Sequence, residues 1–176
     1  EAYCGAIEGY EKLVEQNKVK EGIITIVDFT KPSTAKRLFV IDLMNGRLLF
    51  HSHVAHGQHS GENYATRFSN IPESFQSSLG FYQTANTYNG RNGYSLQLVG
   101  LEKGINDRAM ERAIVMHGAP YVSGHYINAT GHLGRSWGCP AVPEQMAKPL
   151  INTIRGGTCL FIYANNKTYL KKSKIL

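Results

Sequence analysis

Cys139 stands in the run Gly-Arg-Ser-Trp-Gly-Cys-Pro, residues 134–140, with a glycine before it, a proline after it and the chain's only tryptophan, Trp137, two positions upstream. A thiol is a good nucleophile only as the thiolate, so it needs a base or a cation within hydrogen-bond reach, about 3 Å. His117 is the candidate. It ends the apolar run Ala-Ile-Val-Met, is followed by Gly118, and precedes Cys139 by 22 positions. A strand-end histidine and a glycine-flanked cysteine on a neighbouring turn would give a base and a nucleophile. The glycine at 138 would let the backbone N–H groups of Trp137, Gly138 and Cys139 turn toward one developing oxyanion. The same residues also fit a buried structural cysteine with an unrelated histidine, and spacing alone leaves both open.

A second group is the row His51, His53, His56 and His59. On a strand, His51 and His53 would share one face, which is workable metal geometry. Glu62 is the only carboxylate close to the row, which favours a polar rim over a metal site. The other two cysteines, Cys4 and Cys159, form no CxxC pair with each other or with Cys139, which argues against structural zinc. Cys159 lies in an apolar strand-like run and reads as an inert buried thiol. Cys4 is either free or bridged to Cys159.

The elements that must position these residues are mostly strands. Short β-rich runs cover 22–29, 36–43, 46–55, 79–86, 93–101, 112–119 and 157–165. Asn45-Gly46 is a hairpin signal, because both residues tolerate positive φ, and Asn89-Gly90 with Asn92-Gly93 marks a second tight connection. Tyr3, Ile7, Tyr10, Leu13 and Val14 recur at helical spacing, predicting an amphipathic helix within residues 1–20 that packs on the rest. A short helix is predicted over 143–157, carrying Leu150, Ile151 and Ile154, weakened in its middle by Pro149 and stopped by Gly156-Gly157. The expectation is a mainly β fold, a sandwich or closed barrel with peripheral helices, in one domain over 1–176.

A net charge of +6 favours an anionic partner. The basic residues are scattered except for the C-terminal Lys-Lys-Ser-Lys-Ile-Leu, which reads as a solvated end; no aromatic–basic motif points to nucleic acid. No stretch approaches the roughly 18 uninterrupted apolar residues of a membrane helix, so no membrane span is expected. The sequence starts at Glu1 and shows no signal-like apolar segment, which fits a processed secreted protein and a cytosolic one equally.

The pair Met-His-Gly-Ala (116–119) and Gly-Arg-Ser-Trp-Gly-Cys-Pro-Ala-Val (134–142) resembles the bacterial L,D-transpeptidase catalytic domain (YkuD-like). That family's usual signature is a strand-end His-Gly followed by Ser-His-Gly-Cys. The resemblance covers about residues 23–163 and is closest to a divergent branch with tryptophan in the second motif. It implies an L,D-transpeptidase-like β-sandwich or barrel, an extracytoplasmic bacterial setting, and action on peptidoglycan stem peptides without metal or cofactor. It also implies that Cys139 is acylated at an L-centre–D-alanine bond and that the acyl group passes to an amine. His117 would be the general base, oriented by the Gly118 carbonyl, with Trp137, Gly138 and Cys139 amides as oxyanion hole.

Two departures stand out. Trp137 replaces the usual histidine, and an indole exchanges no proton at neutral pH. Base duty therefore falls on His117, with His132 or His125 as helpers. Pro140-Ala141 replaces an apolar residue followed by arginine or asparagine, so a substrate-facing polar group is missing. Arg135 is the candidate to pair a stem carboxylate, beside Ser136. Trp137 is expected to pack beside the turn and stiffen it. The same site would serve an L,D-carboxypeptidase if water resolved the thioester. A non-catalytic wall-binding module and a metal protein built on the histidine row are the rivals from other classes.

Overall fold

A computed structural model describes all residues, Glu1–Leu176. Its centre is one eight-stranded sheet. The strands are β1 (Ile23–Asp28), β2 (Leu38–Asp42), β3 (Arg47–Ser52), β4 (Gly80–Gly90), β5 (Gly93–Gly100), β6 (Val115–Ala119), β7 (Ala141–Pro143) and β8 (Cys159–Tyr163). Their order across the sheet is β3-β2-β1-β8-β4-β5-β6-β7. All pairs are antiparallel except β1 with β8 and β6 with β7. The chain leaving β3 reaches the opposite end of the sheet, where Ala55 bridges Ala141 and Gly57 bridges Ser136. The result is a nearly closed barrel rather than two stacked sheets.

The seven strand-like runs of the sequence correspond to β1–β6 and β8. The sequence reading missed β7, because three residues carrying a proline at one end have no usable period. The β2–β3 hairpin forms, but over Leu43–Gly46, with only Gly46 at positive φ (60°). Asp42 closes this loop by accepting from the backbone and side chain of Asn45. The β4–β5 hairpin is tighter, pairing Gly90 with Gly93 around Arg91 and Asn92.

Four helices cover this sheet: α1 (Ala2–Glu15), α2 (Gly124–Thr130), α3 (Glu144–Ile154) and α4 (Lys167–Lys172). Helix α1 buries Tyr10 and Leu13 as its period predicts, whereas Tyr3 faces solvent. Helix α3 tolerates Pro149 and buries Leu150, Ile151 and Ile154. The basic C-terminus is not a solvated end. Asn166 caps α4, Tyr169 is buried, and the Tyr169 and Ser173 hydroxyls both donate to the buried carboxylate of Glu102. Ile175 and Leu176 then pack against the core. Burial raises the Glu102 pKa, opposed by these donors and the Phe81 N–H.

Helix α1 sits close to the sheet because Gly9 faces the Phe81 ring, itself stacked on Phe161 with centroids 4.1 Å apart. A Cβ at Gly9 would lie 2.0 Å from Phe81 Cζ. Alanine gains about 1 kcal/mol of helix propensity over glycine, but overpacking a core typically costs about 1–3 kcal/mol. With the ring held in a stack, overpacking should win. Gly9→Ala is expected to lower the midpoint of thermal unfolding, and a rise would show that α1 can shift off the sheet without loss.

Candidate active site

The register of β6 and β7 brings His117 and Cys139 to one place. His117 pairs with Ala141 in parallel register, so Cys139, two residues before Ala141, falls beside Val115. The Val115 N–H points at Cys139 Sγ at 3.5 Å, and Sγ lies 3.6 Å from the Ala113 carbonyl. Val115 and His117 share one face of β6. Both, with Cys139, line a cleft of about 400 Å³. The sides of the cleft come from Tyr88, Arg91 and Asn92 of the β4–β5 hairpin, Arg112 before β6, Tyr121 after it, and Arg135, Ser136 and Trp137. Three arginines and no carboxylate line it. A larger hollow of about 640 Å³ between Asp28, Phe68 and Tyr163 contains neither cysteine nor histidine.

The sharp turn depends on Gly138. Its φ is +118°, and a Cβ there would lie 2.7 Å from the Gln76 carbonyl oxygen, so both backbone and space demand glycine. Ser136 braces the turn from inside: its Oγ donates to the Cys139 carbonyl (2.6 Å) and accepts from the Gly138 N–H (3.1 Å). This corrects two sequence expectations. Ser136 lines the cleft but spends its hydroxyl on bracing the turn, and the Gly138 N–H is already engaged. The Trp137 and Cys139 N–H groups have no protein acceptor.

His117 is 4% exposed, and its Nδ1 is 2.8 Å from the Gly118 carbonyl, as the motif implies. That carbonyl can only accept, so Nδ1 carries the proton and Nε2 is left basic. Burial lowers the His117 pKa, partly opposed by the Gly118 carbonyl. Burial likewise raises the Cys139 pKa, opposed by the Val115 N–H and the Arg112 charge. Near pH 7 the pair therefore rests as neutral imidazole and neutral thiol.

Other sequence candidates fall outside the cleft. His125 lies exposed on α2, and His132 Nδ1 is bound to the Leu133 carbonyl at 2.6 Å; neither lines the cleft. Arg135 does line it, with one nitrogen anchored on the Gln58 and Gly61 carbonyls. Trp137 does not pack into the turn as expected. It is 60% exposed, stands against Phe75 (5.3 Å between ring centroids) and carries the Arg91 guanidinium 5.6 Å from its ring centre. It is a platform at the cleft mouth. All three cysteines are free, Cys4 exposed and Cys159 wholly buried with its pKa pushed up to about 12.

The histidine row does not converge. His51, His53 and His59 each face a separate backbone carbonyl, of Lys36, Thr34 and Ser74. His56 instead belongs to the scaffold behind the turn. The fully buried Arg37 donates to the Val54 carbonyl, stacks on Phe29 and meets His56 Nδ1 at 2.8 Å. His56 Nε2 faces the Gly61 carbonyl, and the His56 carbonyl accepts from the Ser136 N–H at 3.0 Å. Burial pushes Arg37 down to about 9, leaving it charged at neutral pH.

The sequence profile of the L,D-transpeptidase catalytic domain matches residues 1–163. The chain belongs to that family. No curated protein is similar enough in sequence to count as a match. Among solved structures, the helical cell shape determining protein Pgp2 from Campylobacter jejuni is 14% identical with a TM-score of 0.54, over 83% of this chain and 49% of that one. An L,D-transpeptidase from Mycobacterium smegmatis is 12% identical with a TM-score of 0.49, over 81% of this chain and 59% of that one. The likeness to Pgp2 is one of fold. The chain spans about half to three fifths of the length of these structures. The family explains the His-Gly strand end and the Gly-Cys turn; Arg112, Arg91, Tyr88 and Tyr121 carried no sequence signal.

Burial and the Arg37 charge lower His56 to about 4 from an ordinary 6.5. A depressed histidine pKa means that the unfolded chain binds the proton first as pH falls through 6.5, so stability is present above that pH and lost toward 4. The loss should approach about 3 kcal/mol by pH 4. Urea unfolding measured from pH 7 to 4 checks this, with His56→Gln expected to flatten the slope; an unchanged slope would mean that His56 is protonated in the fold.

Proposed function

We propose that the protein is a cysteine-dependent peptidoglycan L,D-transpeptidase, acylated by a tetrapeptide stem and passing the acyl group to an amine acceptor outside the cytoplasm. The observation that carries this reading is the cleft itself. Cys139, a tautomer-fixed His117 and two unengaged turn amides meet in a space lined by three arginines and no acid. Stem peptides carry free carboxylates, and such a lining attracts them.

In this reading His117 Nε2 takes the Cys139 proton and the sulfur attacks the carbonyl carbon of the L-centre–D-alanine bond. The oxyanion is held by the Trp137 and Cys139 N–H groups. The C–N bond breaks, and D-alanine leaves with the proton from His117. An acceptor amine then attacks the thioester and gives its proton to His117, and the sulfur is released to be reprotonated. Arg135, the most firmly tethered arginine at the rim, would orient a stem carboxylate, and Trp137 would cover an apolar part of the donor. A non-catalytic wall-binding module would have no use for a histidine whose tautomer is fixed in the same cleft as a thiol.

Disaccharide-tetrapeptide incubated with an acceptor, with products resolved by mass spectrometry, is the direct test. A cross-linked dimer supports transpeptidation, a tripeptide alone would replace it with L,D-carboxypeptidase activity, and unchanged substrate would favour the binding module. Cys139→Ser should fold with an unchanged melting temperature and lose turnover by at least about a thousandfold, since the alcohol is far less acidic than the thiol. The acid limb of kcat/KM should have its midpoint below 6.5, because the base must be neutral and burial lowers its pKa. Trp137→Ala should raise KM more than it lowers kcat and leave stability nearly unchanged, because the ring is largely in solvent. A collapse of kcat with normal KM would return Trp137 to the turn.

A further inference from the structure

Arg112 is held more firmly than any other cation of the cleft. One terminal nitrogen donates to the Ser69 carbonyl (2.8 Å) and Ser78 Oγ (2.6 Å), the other to the Gln76 carbonyl (2.6 Å) and Ser74 Oγ (3.2 Å). Its Nε–H is buried without a partner. No carboxylate neutralises it; the one ion pair in the protein joins Arg108 and Glu111. All four acceptors are neutral oxygens, so the guanidinium is fixed in direction and keeps its full charge.

It is also fixed against the turn. A Cβ placed on Gly138, the residue before the nucleophile, would lie 3.3 Å from Arg112 Nη2. Arg112 and Cys139 line the same cleft, and no acid there competes for the charge. The other titratable or charged groups that line the cleft with the thiol are His117 on β6, Tyr121 beyond it, Arg135 on the turn's own loop, and Tyr88 and Arg91 on the hairpin. Tyr121, pushed up to about 12, stays neutral. Arg135 is tethered to the Gln58 and Gly61 carbonyls, and Arg91 is drawn over the Trp137 ring.

We propose that Arg112 supplies the permanent positive charge that stabilises the Cys139 thiolate. This rests on Cys139 being the nucleophile. His117 cannot fill the role alone, because its imidazolium exists only between proton transfers. When D-alanine departs, His117 is neutral again. When the acceptor attacks the thioester, His117 is neutral until it takes the amine's proton, whereas the Arg112 charge is present in the cleft throughout. A buried thiol without such a partner shows what is at stake: burial sends Cys159 up to about 12. A fixed cation in a site of low dielectric opposes that penalty.

The test is the pH dependence of iodoacetamide alkylation, followed at the Cys139 peptide by mass spectrometry. It reads thiolate formation without requiring any peptidoglycan activity, so it stands or falls apart from the proposed reaction. Arg112→Met should move the inflection upward by about one pH unit or more, which is roughly a tenfold loss of rate on the rising limb. Arg112→Lys should fall between that variant and the parent. Ser78→Ala removes one tether and keeps the charge, and should move the inflection little. An unmoved inflection in Arg112→Met, or an equal shift in Ser78→Ala, overturns the proposal. Should Arg112→Met fail to fold, His117→Ala decides, since it removes the imidazole and leaves Arg112 in place. Its Cys139 should still inflect below Cys159, whose burial no cation opposes, and a Cys139 inflection as high as that of Cys159 also overturns it.

Discussion

The rest of the structure depends on the closure between the two ends of the sheet. Strand β3 ends at Ser52, and the chain that continues from it binds the far end: the Ala55 N–H donates to the Ala141 carbonyl, and the His56 carbonyl accepts from Ser136. A three-residue strand such as β7 would not hold position on β6 alone. Pinned on both sides, it fixes the register that sets Cys139 beside Val115 and His117 one step along. The turn before β7 is then held from three directions, by β6, by the 55–58 segment and by Gln76 pressed against Gly138. Its exactitude comes from tertiary hydrogen bonds, because a glycine-rich loop has little stiffness of its own.

Two arginines, Arg37 wholly buried and Arg112 partly so, serve this closure in different ways. Arg37 has no exposed surface and sends its donors to the Val54 and Lys31 carbonyls and to His56. It ties the outgoing strand to the segment that meets Ser136. Arg112 gathers the chain between Ser69 and Ser78 around one guanidinium. In both, backbone carbonyls and hydroxyls do what a carboxylate would otherwise do. The charge is then held in place without being cancelled, and the cleft stays electropositive.

The sequence made the local features legible and hid those made by distant neighbours. The strand ending in His117-Gly118, the hairpins and the amphipathic face of α1 follow from periods and turn residues within a dozen positions. So does the Gly-Cys turn, and the strand-end His-Gly with it carried the family. Strand β7 is invisible because its identity lies in its partners, Ala55 and His117. The docking of the basic C-terminus depends on Glu102, 67 residues before Tyr169 in the chain. Ser136 looked like a substrate contact, since nothing local tells that its hydroxyl turns inward to the Cys139 carbonyl and the Gly138 N–H. Trp137 looked like a wedge because large rings in turns usually bury. Here Phe75 and Arg91, both remote in sequence, make a place for it at the surface.

That surface place makes the protein its own optical probe. The only indole in the chain stands at the cleft mouth, largely in water, with one aromatic neighbour and one cation over its face. Anything that settles on the ring displaces water or Arg91, and the emission wavelength and quantum yield of an indole respond to both. Fluorescence from the unlabelled protein therefore reports on the mouth of the cleft rather than on the core. Far-UV circular dichroism would follow the sheet, so the two signals separate loosening of the rim from unfolding of the barrel.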